Sequence, residues 1–142
     1  MWSFAVKENY FYDRYKKLSL PTYNIRVYYD DTDATGYVYH PNYLKYMSQA
    51  REKYLAQKFS IDFFGKNQFF VLKNINLKYL KPSFRGDELQ VSSLLYLKKS
   101  PKIRCCHEIK KNNVTILKAD LDIVLVNNEG YPVKTNLMDY LV

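Results

Sequence analysis

Residues 27–43 read Val27-Tyr28-Tyr29-Asp30-Asp31-Thr32-Asp33-Ala34-Thr35-Gly36-Tyr37-Val38-Tyr39-His40-Pro41-Asn42-Tyr43, and the chain changes character inside them. Upstream, Tyr23, Ile25, Val27 and Tyr29 alternate with Asn24, Arg26 and Tyr28, the two-residue period of a strand. The run from Asp30 to Gly36 breaks that period with polar residues and a glycine free to take a positive φ. Pro41 suits a first helical turn. From there to about Phe59 the spacing predicts one long helix. Tyr43, Met47, Ala50 and Tyr54 share a face, with Lys45, Gln49, Glu52 and Lys53 mostly off it.

Four strand-like runs follow. Val71, Lys73, Ile75, Leu77 and Tyr79 are expected on one face of the first, and Pro82 to Asp87 form a loop. Leu89, Val91, Ser93, Leu95 and Leu97 share a face of the second, which breaks at Ser100-Pro101. Ile103 to Ile109 form the third, and Asn112-Asn113 turn the chain into the fourth. There Leu117, Ala119, Leu121, Ile123 and Leu125 alternate with Lys118, Asp120 and Asp122. Thr135 to Val142 are expected to make one short helix. Residues 1–20 read as an aromatic and basic extension, in which Tyr10, Phe11, Tyr12, Tyr15 and Leu18 form turns stopped at Leu20-Pro21. The folded domain is expected over residues 21–142.

This order is an α+β pattern: an antiparallel sheet of about five strands, one face covered by one helix. So apolar a sheet has more surface to bury than one helix covers, and self-association is expected.

A chain of 142 residues, 47% hydrophobic and 17% aromatic, can bury one core without staples. Its net charge of +8 favours anionic partners. The basic residues are scattered, with only short clusters at Lys16-Lys17, Lys98-Lys99 and Lys110-Lys111, so no nucleic-acid arm is expected. Cys105 and Cys106 are adjacent and should point to opposite faces, which argues against a structural disulfide and for a reducing compartment. No Cys/His grouping suggests a metal. Met1 to Glu8 lack the pattern of a secretion signal, and no window suggests a transmembrane segment, so a cytoplasmic location is expected.

Residues 27–43 resemble the signature of the 4-hydroxybenzoyl-CoA thioesterase family, most closely its YbgC-type (Tol-Pal-associated) acyl-CoA thioesterases. The likeness continues through Ala50-Arg51, Phe70-Val71-Leu72, Tyr79-Leu80-Lys81-Pro82 and Gly86-Asp87-Glu88-Leu89, covering roughly residues 22–134. It implies a hot-dog fold, in which an antiparallel sheet wraps one long central helix. It also implies a homodimer, often paired into a homotetramer, with the active site at the dimer interface. The implied substrate is an acyl-CoA, with no cofactor beyond the coenzyme A that the substrate carries. Asp33 matches the family's catalytic aspartate, and the backbone N–H of His40 its oxyanion donor. Lys98, Lys99 and Ser100 match a segment that helps to bind the coenzyme A phosphates. Two departures stand out: the family's glutamate early in the helix is Ser48 here, and the C-terminal helix is cut short at Val142.

Thioester hydrolysis needs a carboxylate to attack or to activate water, donors for the oxyanion, and a site for the carrier. A partly desolvated Asp33 would be the stronger base or nucleophile, and a helix N-terminus favours negative charge. Taken alone, an Asp-rich loop before a helix reads as turns and caps. Asp31 is expected in that role, Asp30 in solvent, Gly36 in a backbone role, and Tyr39 and Tyr43 in packing. Lys102 and Arg104 are weaker phosphate candidates, His107 is an ordinary strand histidine, and a cysteine nucleophile is not expected. The rival readings are an acyl carrier protein (acyl-ACP) thioesterase on the same fold and a non-catalytic acyl-binding or scaffold module.

Overall fold

The expected helix is present as α1, Asn42–Lys58, burying Tyr43, Tyr46, Met47, Ala50, Tyr54 and Leu55 at the three- and four-residue spacing of one helical face. It stops where Phe59 turns extended, the Phe59 N–H still reaching the Leu55 carbonyl. The computed structural model describes residues 16–59 and 67–141. The turns expected over residues 10–15 lie outside them.

Six strands form one antiparallel sheet: β1 (Lys16–Ser19), β2 (Tyr23–Arg26), β3 (Gln68–Tyr79), β4 (Glu88–Leu97), β5 (Lys102–Lys111) and β6 (Val114–Asn127). They run in the order β1-β4-β5-β6-β3, with β2 also on β4. β2 pairs with Glu88–Val91 and β1 with Leu94–Leu97, so both lie along the same edge of β4. The Leu20 N–H continues that ladder to the Ser93 carbonyl, whereas Pro21 has no N–H to offer. This corrects the expectation that the sheet starts after Pro21: four residues of the supposed extension belong to it.

Leu89, Val91, Ser93, Leu95 and Leu97 all turn inward and are buried, as do Leu117, Ala119, Leu121, Ile123 and Leu125. Two apolar clusters result. One gathers Ile25, Val27, Leu89, Val91, Ile109 and Leu117 under the first half of α1. The other gathers Leu95, Leu97, Ile103, Leu121, Leu125 and Leu137 under its second half. Met47 and Leu95, both fully buried, each contribute about 1.5–3 kcal/mol by leaving water. A single helix clasped by a sheet is the hot-dog arrangement that the resemblance implied.

The alternation predicted for β3 fails at one point. A bulge between Leu72 and Asn74 inserts a residue, so Phe70 and Leu72 share the inner side with Ile75 and Leu77, and Val71 is exposed. Asn112 and Asn113 turn β5 into β6 with φ values of 50° and 62°, the geometry of a type I′ hairpin. The tail makes a short 3-10 turn over Leu137–Tyr140. Cys105 and Cys106 are free and buried, and they occupy successive, hence opposite-facing, positions on β5. No helix among the described residues is long and apolar enough to cross a membrane.

Candidate active site

The loop between β2 and α1 is built around Asp31, which closes a 3-10 turn over Tyr29–Asp31. Its carboxylate accepts the Tyr28 N–H at 3.0 Å and the Lys45 ammonium at 2.8 Å. Its carbonyl accepts the Tyr39 N–H at 2.9 Å and Asn42 Nδ2 at 2.8 Å. Burial pushes the Asp31 pKa up, but the bonds from Lys45 and Tyr28 outweigh it and hold the group below the usual value. Asp31 ties the loop to the helix, the structural part expected of it.

Asp33 heads the next turn. Its N–H donates to the Tyr37 carbonyl and its own carbonyl accepts the Gly36 N–H, both at 3.0 Å. Gly36 takes φ +86°, and a Cβ there would stand 2.7 Å from the Phe84 ring. The Asp33 carboxylate accepts the Thr35 hydroxyl and, at 2.9 Å, the Thr35 N–H. These bonds, the hydroxyl's first, hold its pKa below the usual value. The expected desolvation is slight in the single chain. Asp33 is exposed, and in this chain alone the Thr35 bonds outweigh what little desolvation it feels, so its basicity is lowered.

The mouth of α1 lies beside it. The N–H groups of Asn42, Tyr43 and Leu44 are spent on the carbonyls of Tyr39, His40 and Pro41, at 2.8, 3.4 and 3.1 Å, and Pro41 has none. The His40 N–H, by contrast, meets no acceptor among the described residues. A charge on the His40 ring would act to lower the Asp33 pKa further. Tyr79 donates its hydroxyl to the His40 carbonyl at 3.3 Å. The rings of Tyr39 and Tyr79 flank the imidazole at 5.1 and 6.3 Å. Tyr39 is therefore an exposed neighbour of His40 rather than a core residue. Tyr43 is buried and bonds Ser83. An open groove of about 280 Å³ runs past Val38, His40, Tyr43 and Tyr79 to Pro82.

Asp31, Asp33, Gly36, Tyr39, His40 and Tyr43 are thus brought together, but Lys98, Lys99 and Ser100 are not. The Asp33 loop meets the start of β4, through Gly36–Arg85 and Val27–Asp87 bonds. Lys98 follows the end of that ten-residue strand, about 33 Å away at ~3.3 Å per residue. Ser100 accepts the Lys102 N–H within its turn. Lys102 and Arg104 are engaged by Asp120 and Asp122, Arg104 reaching Asp122 at 2.6 Å. Burial pushes both thiols up, Cys105 to about 12, so neither supplies a thiolate at neutral pH.

Sequence reasoning missed Thr35, Lys45, Tyr79 and Ser83 as positioning groups. It also missed the surroundings of His107, which is fully buried against Arg51 and Ser93. The alternation Ile103, Cys105, His107, Ile109 already carried that signal, since His107 shares its parity with inward residues.

Among known proteins, the thioesterase-like superfamily matches residues 27–136. The chain is similar to the acyl-CoA thioesterase YbgC of Haemophilus influenzae, 30% identical over 109 residues that cover 75% of this chain and 80% of that protein. YbgC of Helicobacter pylori is 38% identical over 68 residues, covering 46% of this chain and 49% of the relative, so that match spans about half the relative's length. A 1,4-dihydroxy-2-naphthoyl-CoA hydrolase of Nostoc punctiforme is 33% identical, covering 69% of this chain and 68% of that protein. In fold, the chain superposes on a 1,4-dihydroxy-2-naphthoyl-CoA thioesterase from Synechocystis with a TM-score of 0.72 at 21% identity, over 82% of this chain and 88% of the other. A loop and helix mouth of this build, within a match covering most of the chain, place it by descent: the protein belongs to the thioesterase-like superfamily and has its hot-dog fold.

Proposed function

We propose that this protein hydrolyses acyl-CoA thioesters, with Asp33 as the catalytic carboxylate and the His40 N–H as the oxyanion donor. The observation that carries this reading is the pairing of an uncommitted backbone donor at the helix mouth with a carboxylate one turn of loop away. Asp33 delivers the attack on the thioester carbon, directly or through a water whose proton it takes. Either route places negative charge on the carbonyl oxygen, where the His40 N–H and the helix dipole stabilise it. A donor of this kind lowers a barrier by about 2.7–4 kcal/mol. Collapse of the oxyanion expels the coenzyme A thiolate, leaving the free acid on the water route and, on the direct route, an Asp33 anhydride that a water then hydrolyses to the acid and the restored carboxylate. The names of the YbgC relatives and of the naphthoyl-CoA hydrolase support the substrate class.

The working unit in this reading is a homodimer. β3 is a terminal strand of twelve residues that pairs only with β6 among the described residues, and Phe69, Val71, Leu72 and Tyr79 along it are exposed. A long, apolar free edge invites a second copy. A subunit seated there would exclude water from Asp33 and carry its Lys98-Lys99-Ser100 turn toward a substrate bound across the interface.

Replacement of Asp33 by Asn is the test. Acyl-CoA turnover is expected to fall at least about 100-fold while the circular dichroism spectrum stays unchanged. A folded Asp33→Asn protein with undiminished turnover would remove Asp33 from the mechanism, and a monomer at assay concentration would remove the interface.

A further inference from the structure

Midway along the inner face of the sheet the core turns polar. Ser93 and His107 stand side by side on β4 and β5, outside both apolar clusters, with Ala119 of the first cluster beside His107 on β6. The Nδ1 of His107 lies 2.8 Å from Ser93 Oγ, and its Nε2 lies 3.0 Å from Arg51 Nη1. A guanidinium only donates, so Nε2 accepts and the ring proton sits on Nδ1, donated to Ser93. Burial, and then the charge of Arg51, keep the His107 pKa well below its ordinary value, so the imidazole is neutral.

Arg51 therefore receives an acceptor from His107 but no negative charge. His107 is its one hydrogen-bond partner among the described residues, and no described carboxylate is within ion-pair distance of it. Burial lowers its pKa. A sheltered cation without a counter-charge is costly, and most of the five donors of a guanidinium remain open here.

Those donors border an open groove of about 350 Å³ between α1 and the β3 side of the sheet. Ser48 lies one turn before Arg51 on the same wall, and Leu55, Phe70, Leu72 and Ile123 make the remaining surface apolar. Glu52 also borders the groove, with an exposed side chain. The volume falls within the range of small-molecule sites. One cation set against hydrocarbon is the complement of an amphipathic acid.

We propose that this groove binds an organic carboxylate with an apolar tail. Its acid group pairs with Arg51 and the Ser48 hydroxyl, and its tail lies on Leu55, Phe70, Leu72 and Ile123. A phosphate group would find the same cation but no use for the apolar walls. The bidentate geometry of arginine with a carboxylate outweighs the solvated charge of Glu52. The inference stands apart from the hydrolase reading, because binding of a free acid is measured without turnover.

The test is calorimetric titration of the full chain with octanoate and with octanol, which share a tail. Octanoate is expected to bind at least about tenfold more tightly, the difference a charge-assisted hydrogen bond supplies. Two variants are then titrated. Arg51→Gln removes the cation. Ser48→Glu leaves Arg51 and His107 in place but sets a carboxylate one turn away, where it meets Arg51. The Ser48 side chain is exposed, so this variant folds even if loss of the Arg51–His107 bond unfolds the other. Octanoate affinity is expected to drop at least about tenfold in each folded variant, with octanol unchanged. Equal affinity for acid and alcohol, no binding of octanoate, or undiminished octanoate binding by Ser48→Glu would overturn the proposal. Loss of self-association by Arg51→Gln in a protein that ignores octanoate would likewise overturn it, assigning the groove to a second copy.

Discussion

The Tyr43 hydroxyl lies 2.6 Å from Ser83 Oγ and accepts the Ser83 N–H at 3.1 Å, so the first turn of α1 and the loop before β4 are locked as one unit. The Ser83 carbonyl in turn accepts the Val38 N–H at 2.9 Å, carrying the lock to the residue next to Tyr39 and His40. Tyr43→Phe leaves the buried Ser83 N–H without its acceptor. Urea unfolding is expected to show a loss of about 1–3 kcal/mol. The acyl-CoA turnover number is expected to fall with it, because the helix mouth loses its brace.

Gly36 is set apart from the other loop residues by two independent demands. Its φ of +86° strains any L side chain, and a Cβ would press on Phe84. The Phe84 ring is half-exposed and can swing away, so the backbone demand dominates. Gly36→Ala is expected to cost about 1–2 kcal/mol. Adding Phe84→Ala should recover only a minor part of that in thermal unfolding.

Asp31 makes stability depend on acid. Its folded pKa is lowered, so its contribution is complete above the unfolded value, near 3.9, and disappears as pH falls through the folded one. Lys45 is half-exposed, so screening weakens its share, while the Tyr28 bond is sheltered. Asp31→Asn is expected to be about 1–2 kcal/mol less stable at pH 6. That gap should close below about pH 4 when unfolding is followed across the acid range.

The helix and the inner faces of β4 and β6 were legible because their apolar residues repeat at the period of the element and all turn inward. β1 was not. Lys16-Lys17-Leu18-Ser19 has no alternation of its own and is a strand only because Leu94–Leu97 pair with it. The bulge after Leu72 likewise shows only in the register against β6, not in the local pattern. At the site, the Asp33 loop was legible as a motif, but the exposure of its carboxylate and the Thr35 bonds that hold it were not. The contact of Arg51 with His107 joins residues 56 apart, beyond any local reading.

Lys98 and Lys99 give a test of where the carrier lies. They sit at the opposite end of β4 from the Asp33 loop, so in the proposed mechanism a phosphate contact with a substrate at Asp33 would come from a second copy. Lys98→Ala/Lys99→Ala is expected to raise KM for acyl-CoA roughly tenfold, as loss of charge-assisted contacts would, with kcat unchanged. KM for the matching N-acetylcysteamine thioester, which carries no phosphate, should not move. Equal effects on both substrates would show that the pair acts on the fold and not on the carrier.

Thr35 tunes the carboxylate proposed to act in hydrolysis. Its hydroxyl is the largest influence holding the Asp33 pKa low, with its N–H second. Thr35→Val removes the hydroxyl and keeps both the N–H bond and the side-chain shape, so the Asp33 pKa is expected to rise toward the ordinary carboxylate value. The sign for activity follows. In the proposed mechanism Asp33 works ionised, so the acid limb of kcat/KM should move to higher pH, with turnover lost around the ordinary carboxylate value, about 3.9, and the limb's displacement unfelt at neutral pH. The freed carboxylate is also less firmly aimed, which lowers the plateau itself. A pH–rate profile separates the two effects, since aim scales the whole curve and the pKa displaces its acid side. A profile that drops without displacement would mean that Asp33 is not the group titrating in catalysis.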